Sequence, residues 1–156
     1  MGERIEKAIS LFKEGYNCSQ AVVGAFADMY GFTPEQALKM SASFGGGIGR
    51  MRQTCGAACG LFMLAGLETG CTDGKDREGK EANYKVVQAL AEEFKKRNGS
   101  LICSELLGLA KTAPTPPSPE ARTTEYYKKR PCVKMVEEAA RIWCGFLESR
   151  NADGNL

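Results

Sequence analysis

The chain has 156 residues, 43% hydrophobic and 26% charged, a composition that fits one ordinary globular domain with enough length to bury a core. Its net charge of +2, from 21 basic and 19 acidic residues, argues against a dedicated nucleic-acid partner or a polybasic membrane surface. Histidine is absent, which excludes Ser–His and Cys–His catalysis, the HExxH zinc site, Cys₂His₂ fingers and the CxxCH haem attachment, and leaves seven cysteines as the unusual chemistry.

Helical periodicity dominates the pattern. Ile5, Ala8, Ile9 and Phe12 mark a first amphipathic helix closed by Gly15, and Ala21, Val22, Ala25, Phe26 and Met29 mark a second ended by Gly31. Thr33, Pro34 and Gln36 form a capping box for a third helix that runs to about Ser43. The run Gly45-Gly46-Gly47-Ile48-Gly49 is too rich in glycine for regular structure. A fourth helix from near Thr54 to Gly70 is apolar around most of its circumference, which predicts the centre of a bundle.

A polar loop from Cys71 to about Gly79 leads to a long helix with Val86, Val87, Leu90 and Phe94, ended at Asn98-Gly99. Ser100 is then placed to cap a short helix holding Leu101, Cys103, Leu106 and Leu107. The segment APTPPSP, 113–119, predicts an extended loop. Pro131 opens a last helix with the core stripe Val133, Val136, Ala140, Trp143 and Leu147. The reading is all-α: a single compact bundle of about six to eight helices around a buried central helix, over 1–150, with 151–156 as a frayed tail.

The start MGERIEKAIS lacks the pattern of a signal peptide, and Glu6 breaks the myristoylation motif. The longest apolar run, Cys55 to Leu67, is too short to span a bilayer, where about 20 residues are needed. A cytoplasmic location with reduced thiols and no membrane insertion is therefore expected.

Four cysteines fall at predicted helix starts: Cys18 after Asn17, Cys55 after Thr54, Cys103 after the Ser100 cap and Cys132 after Pro131. A helix N-terminus favours thiolate over thiol, and thiolate is the form that attacks disulfides and binds metals. Arg50 and Arg52 precede Cys55; Lys128, Lys129 and Arg130 precede Cys132. Cys55 draws the strongest expectation, because Cys59 lies one turn on as a co-ligand or resolving thiol. Cysteine is also a small hydrophobe that packs in helices, and Cys71 and Cys144 read that way. No CxxC occurs, so neither a thioredoxin-type dithiol nor a zinc ribbon is signalled. The glycine run matches neither GxGxxG nor a P-loop, and reads as a tight turn near Cys55.

At these residues the sequence resembles the redox-active protein family named for its C_GCAxxG_C_C signature. Cys55-Gly56-Ala57-Ala58-Cys59-Gly60 matches the central motif, with Cys18, Cys103 and Cys132 standing at its other cysteines. The resemblance covers about Gly15 to Leu147 and implies a redox role. A more distant likeness, to the cysteine-rich part of split-Soret cytochromes, implies an iron–sulfur site, without the haem half.

The expected function is a redox protein, an oxidoreductase or electron-transfer protein. Cys18, Cys55, Cys103 and Cys132 would act by thiol–disulfide cycling, or would hold, with Cys59, an iron–sulfur or zinc centre. The redox partner is unknown and homo-oligomerisation stays open. The rivals are a non-catalytic helical interaction module with structural cysteines, and an enzyme holding an organic cofactor over the glycine run.

Overall fold

In a computed structural model that describes residues 1–153, eight α-helices form the fold: α1 (Gly2–Lys13), α2 (Cys18–Phe26), α3 (Pro34–Ser41), α4 (Gly56–Thr69), α5 (Arg77–Asn98), α6 (Cys103–Leu106), α7 (Thr124–Lys129) and α8 (Cys132–Ala152). Short 3₁₀ turns, Ala27–Tyr30 and Ala42–Phe44, follow α2 and α3. Among the described residues there is no strand, only an isolated antiparallel bridge between Thr54 and Ile102. Of the expected frayed tail, Asn151 and Ala152 extend α8, while Gly154, Asn155 and Leu156 lie outside the described residues. No helix among the described residues is long and apolar enough to cross a membrane.

The helix ends follow local chemistry. Asn17 and Gln20 make a reciprocal capping box at α2, with Gln20 N donating to Asn17 Oδ1 at 2.9 Å and Asn17 N to Gln20 Oε1 at 3.1 Å. Thr33 and Gln36 do the same at α3, as their spacing predicts. Ser100 does not cap α6: its hydroxyl accepts from Ile102 N at 2.9 Å, and Ile102 is the N-cap. The sequence pattern also missed α7, whose cap is Thr123, accepting from Tyr126 N at 3.1 Å. Two polar residues, two tyrosines and two lysines give α7 no apolar stripe to read.

Two helices, rather than one, occupy the centre. α4 packs on α2, α5 and α8, and α2 also packs on α1 and α3. Both are buried for most of their length, α2 through Cys18, Ala21, Val22, Val23, Ala25 and Phe26, α4 through Ala57, Ala58, Leu61, Leu64 and Ala65. Phe12, Phe26, Phe94 and Trp143 are fully buried around them, each contributing roughly 1.5–3 kcal/mol over an exposed side chain. On α8, Met135 joins the buried core and Val133 packs against it partly buried.

Gly60 lets α2 and α4 come together: a Cβ there would lie 3.0 Å from Val22 Cβ and 3.2 Å from Ser19 O. A Cβ at Gly66, six residues further on the same helix, would meet nothing within 4 Å. Gly66→Ala should therefore stabilise the fold by about 0.5–1 kcal/mol through helix propensity, whereas Gly60→Ala should destabilise it by about 1–3 kcal/mol through overpacking. Urea unfolding of the two variants checks this; equal shifts of the same sign would contradict the packing described.

Candidate functional site

Each of the four helix-start cysteines takes a defined capping position. Cys18, Cys103 and Cys132 are the first residues of α2, α6 and α8, and Cys55 is the N-cap of α4. All four line one cavity of about 240 Å³. Cys55 and Cys103 are held as neighbours by backbone bonds on either side of the Thr54–Ile102 bridge: Cys55 N donates to Leu101 O at 2.7 Å and Cys103 N to Gln53 O at 2.6 Å. Gly56 brings Cys18 against the start of α4, since a Cβ at this position would stand 3.2 Å from Cys18 Cβ and 2.8 Å from Phe44 O.

The other three cysteines lie elsewhere. Cys59 is buried, with Sγ 3.8 Å from Thr54 O, and does not line the cavity. Cys71 lies in the loop before α5, and Cys144 Sγ stands 3.7 Å from Met1 O.

The glycine-rich segment adopts a left-handed turn. Gly46, Gly47, Ile48, Gly49 and Arg50 have consecutive φ values of 66°, 73°, 66°, 57° and 62°, and Arg52 follows at 63°. At Ile48, Arg50 and Arg52 this conformation costs about 1–2 kcal/mol per residue. Backbone bonds offset the cost, among them Gly49 N to Ser43 O at 2.8 Å and Gln53 N to Gly47 O at 2.9 Å. The turn delivers both arginines to the cavity, though neither serves Cys55. Arg52 Nη1 lies 3.7 Å from Cys103 Sγ, and Arg50 donates to Pro116 O at 2.6 Å and to Ser118 O.

Several cavity residues carried no signal in the sequence. Pro117, Pro119, Glu120, Arg122 and Tyr126 line it, so the proline-rich loop is a wall of the site. Glu120 pairs with Arg130 and lies 3.9 Å from Arg50. Arg122 donates to Phe12 O at 2.7 Å and Tyr16 O at 2.9 Å, and stacks over the Phe12 and Tyr126 rings. These residues lie between Cys103 and Cys132 in sequence, far from Cys18 and Cys55, and only a through-space arrangement reveals them. Of the basic run before Cys132, Arg130 alone reaches the cavity.

The thiols differ in acidity. Cys132 is drawn down from the ordinary 9.0 to about 7, first because the Cys18 thiol donates a hydrogen bond to its sulfur, and further through Arg130, the Tyr126 hydroxyl and Arg122. The same bond, with burial, holds Cys18 well above the ordinary value. Burial pushes Cys55 up to about 12, although the Ala57 and Ala58 N–H groups oppose it. Cys103 is also raised by burial, against the pull of Arg52. Helix position is common to all four, so burial together with the charged and hydrogen-bonding neighbours separates them.

The donor set suits a thiolate-binding metal, but zinc at about 2.3 Å from each sulfur needs thiolates gathered almost into contact. Among the described residues no group of three or more His, Cys, Asp or Glu side chains is placed to hold a metal ion.

Since the folded pKa of Cys132 lies below 9.0, its ionisation favours the folded state increasingly between about pH 7 and 9, and that contribution is lost as pH falls through about 7. Iodoacetamide should modify Cys132 ahead of the other cavity thiols, with a rate that climbs through a midpoint near pH 7. Cys18→Ala should move that midpoint up toward 9.0. A wild-type midpoint already near 9 would contradict the hydrogen-bonded pair.

Comparison with curated proteins and with solved structures returned no match in either set. A sequence family described as "Putative redox-active protein (C_GCAxxG_C_C)" matches residues 16–145, which include all four cavity cysteines. The chain belongs to this redox-active family with the C_GCAxxG_C_C signature.

Proposed function

We propose that the protein is a thiol–disulfide oxidoreductase in which Cys132 attacks and Cys18 resolves. The observation that carries this reading is that Cys18 and Cys132, the first residues of α2 and α8, line one cavity ringed by arginines. With Cys132 drawn down to about 7, this arrangement supplies a nucleophile partly ionised at neutral pH and a second thiol lining the same cavity.

The Cys132 thiolate attacks one sulfur of an incoming disulfide. A Cys132–substrate bond forms, the substrate disulfide breaks, and its other half departs as a thiolate. Cys18 then gives its proton to the departed thiolate and attacks Cys132 Sγ, and the second half leaves as a thiolate. The substrate gains two electrons, and the protein is left with a Cys18–Cys132 disulfide. Arg130, Arg122 and the Tyr126 hydroxyl, which stabilise the Cys132 thiolate, also stabilise it when it leaves in the reverse direction.

A different observation favours a second reading: four thiols, not two, line the cavity. Four thiolates without histidine suit an iron–sulfur centre, and the protein would then be an electron-transfer protein with Cys18, Cys55, Cys103 and Cys132 as ligands.

Ellman's reagent distinguishes the roles when Cys71 has been replaced by serine. The Cys71→Ser protein should release both thionitrobenzoate halves per cavity, whereas Cys71→Ser with Cys18→Ser should release one and retain the other on Cys132. Full release from the double variant would contradict the resolving role. Stoichiometric iron and sulfide in protein purified without oxygen would transfer the conclusion to the second reading.

A further inference from the structure

We propose that the substrate of this site is a small organic disulfide carrying a carboxylate, and that Arg52 is the residue that holds the carboxylate. The inference rests on the thiol-exchange reading above and names its substrate class. Of the four arginines lining the cavity, three already serve oxygen acceptors. Arg50 is bound to the carbonyls of Pro116 and Ser118, Arg122 to those of Phe12 and Tyr16, and Arg130 to Glu120. Among the described residues, the Arg52 side chain has no oxygen acceptor, and its one polar contact is the Cys103 sulfur at 3.7 Å. A guanidinium presents a planar fork of donors that matches a carboxylate in two parallel hydrogen bonds. Arg52, at φ 63°, lines the cavity, and its Nη1 stands beside the sulfur of another cavity residue, Cys103.

Size and lining narrow the class further. A volume of about 240 Å³ is below the roughly 300–1,000 Å³ of sites for drug-sized ligands. Pro117 and Pro119 wall one side, leaving room for one half of a small disulfide rather than a folded protein's disulfide loop. Phe12, Leu106, Leu107 and Met135 offer apolar surface to the methylenes between sulfur and carboxylate. The reaction is the exchange already written: Cys132 Sγ bonds to one substrate sulfur, the substrate S–S bond breaks, and Cys18 releases the bound half as a second thiolate. The disulfide is the oxidant, and each half leaves carrying its carboxylate.

The test is the rate at which the reduced protein is oxidised by three symmetric disulfides of similar size: anionic dithiodipropionate, neutral bis(hydroxyethyl) disulfide and cationic cystamine. Free dithiothreitol serves as the unbiased reference. Relative to that reference, the wild-type protein should prefer dithiodipropionate over the neutral probe by roughly tenfold, the size of one charge-assisted hydrogen-bond pair, and cystamine should be slowest. Arg52→Gln should bring the anionic-to-neutral ratio back to that of dithiothreitol, and Arg52→Lys should recover part of it. If the variants fold poorly, propionate should slow iodoacetamide modification of Cys132 in the wild-type protein while propionamide does not. Equal relative rates with all three probes, or protection by both small molecules, would overturn the carboxylate assignment alone. Failure of every probe to oxidise the protein would overturn the exchange reading, and this proposal with it.

Discussion

The positive ends of three helices, α2, α4 and α8, meet at one cavity, and four arginines stand around the same space. Like-signed ends brought together repel unless negative charge lies among them, and that requirement orders the site. Cys132, drawn down to about 7 by Cys18, Arg130, Tyr126 and Arg122, is the cavity thiol most easily ionised to meet it. The approach of α2 to α4 that brings Cys18 into place depends on Gly56 and Gly60, where any side chain would strike Phe44, Cys18, Val22 or Ser19. Packing in the core and ionisation at the cavity are thus two consequences of the same helix arrangement.

The segment between α6 and α7 completes the enclosure. It lines the cavity and is tied down over the C-terminal half of its proline-rich stretch, by Arg50 at Pro116 and Ser118 and by Glu120 between Arg50 and Arg130. Two of the site's cations are thereby used to hold the wall. Glu120 also neutralises part of the arginine field, so the cavity keeps a positive character without an unpaired guanidinium at every face. The left-handed turn of residues 46–50 has a matching role on the opposite side: its strained backbone positions Arg50 for the wall and Arg52 for the interior.

Much of this architecture was legible because it is encoded locally. Apolar spacing identified α1, α2, α4, α5 and α8, and the Thr33–Gln36 box fixed the start of α3. Cys18, Cys55, Cys103 and Cys132 all lie within one residue of a helix start, although for Cys103 the cap expected at Ser100 is replaced by Ile102. What escaped the sequence reading is non-local. The expectation attached to Cys55 relied on helix position and nearby arginines, but Arg50 and Arg52 turn toward other partners, and burial pushes the Cys55 thiol up to about 12. The special environment of Cys132 arises from Cys18, which is more than a hundred residues away, and from Arg122 and Tyr126 around a helix too polar to be recognised. Cys59, one turn from Cys55 in sequence, turns its sulfur toward Thr54 O instead of the cavity.

The central claim is that Cys18 and Cys132 form one redox unit. Peptide mapping of the protein after titration with a single equivalent of a small disulfide tests it most directly. The account predicts the loss of two thiols per chain and a single linked peptide joining Cys18 to Cys132, with Cys55, Cys59 and Cys103 still reduced. A linkage between Cys55 and Cys59 or Cys103, or an unchanged thiol count, would contradict it.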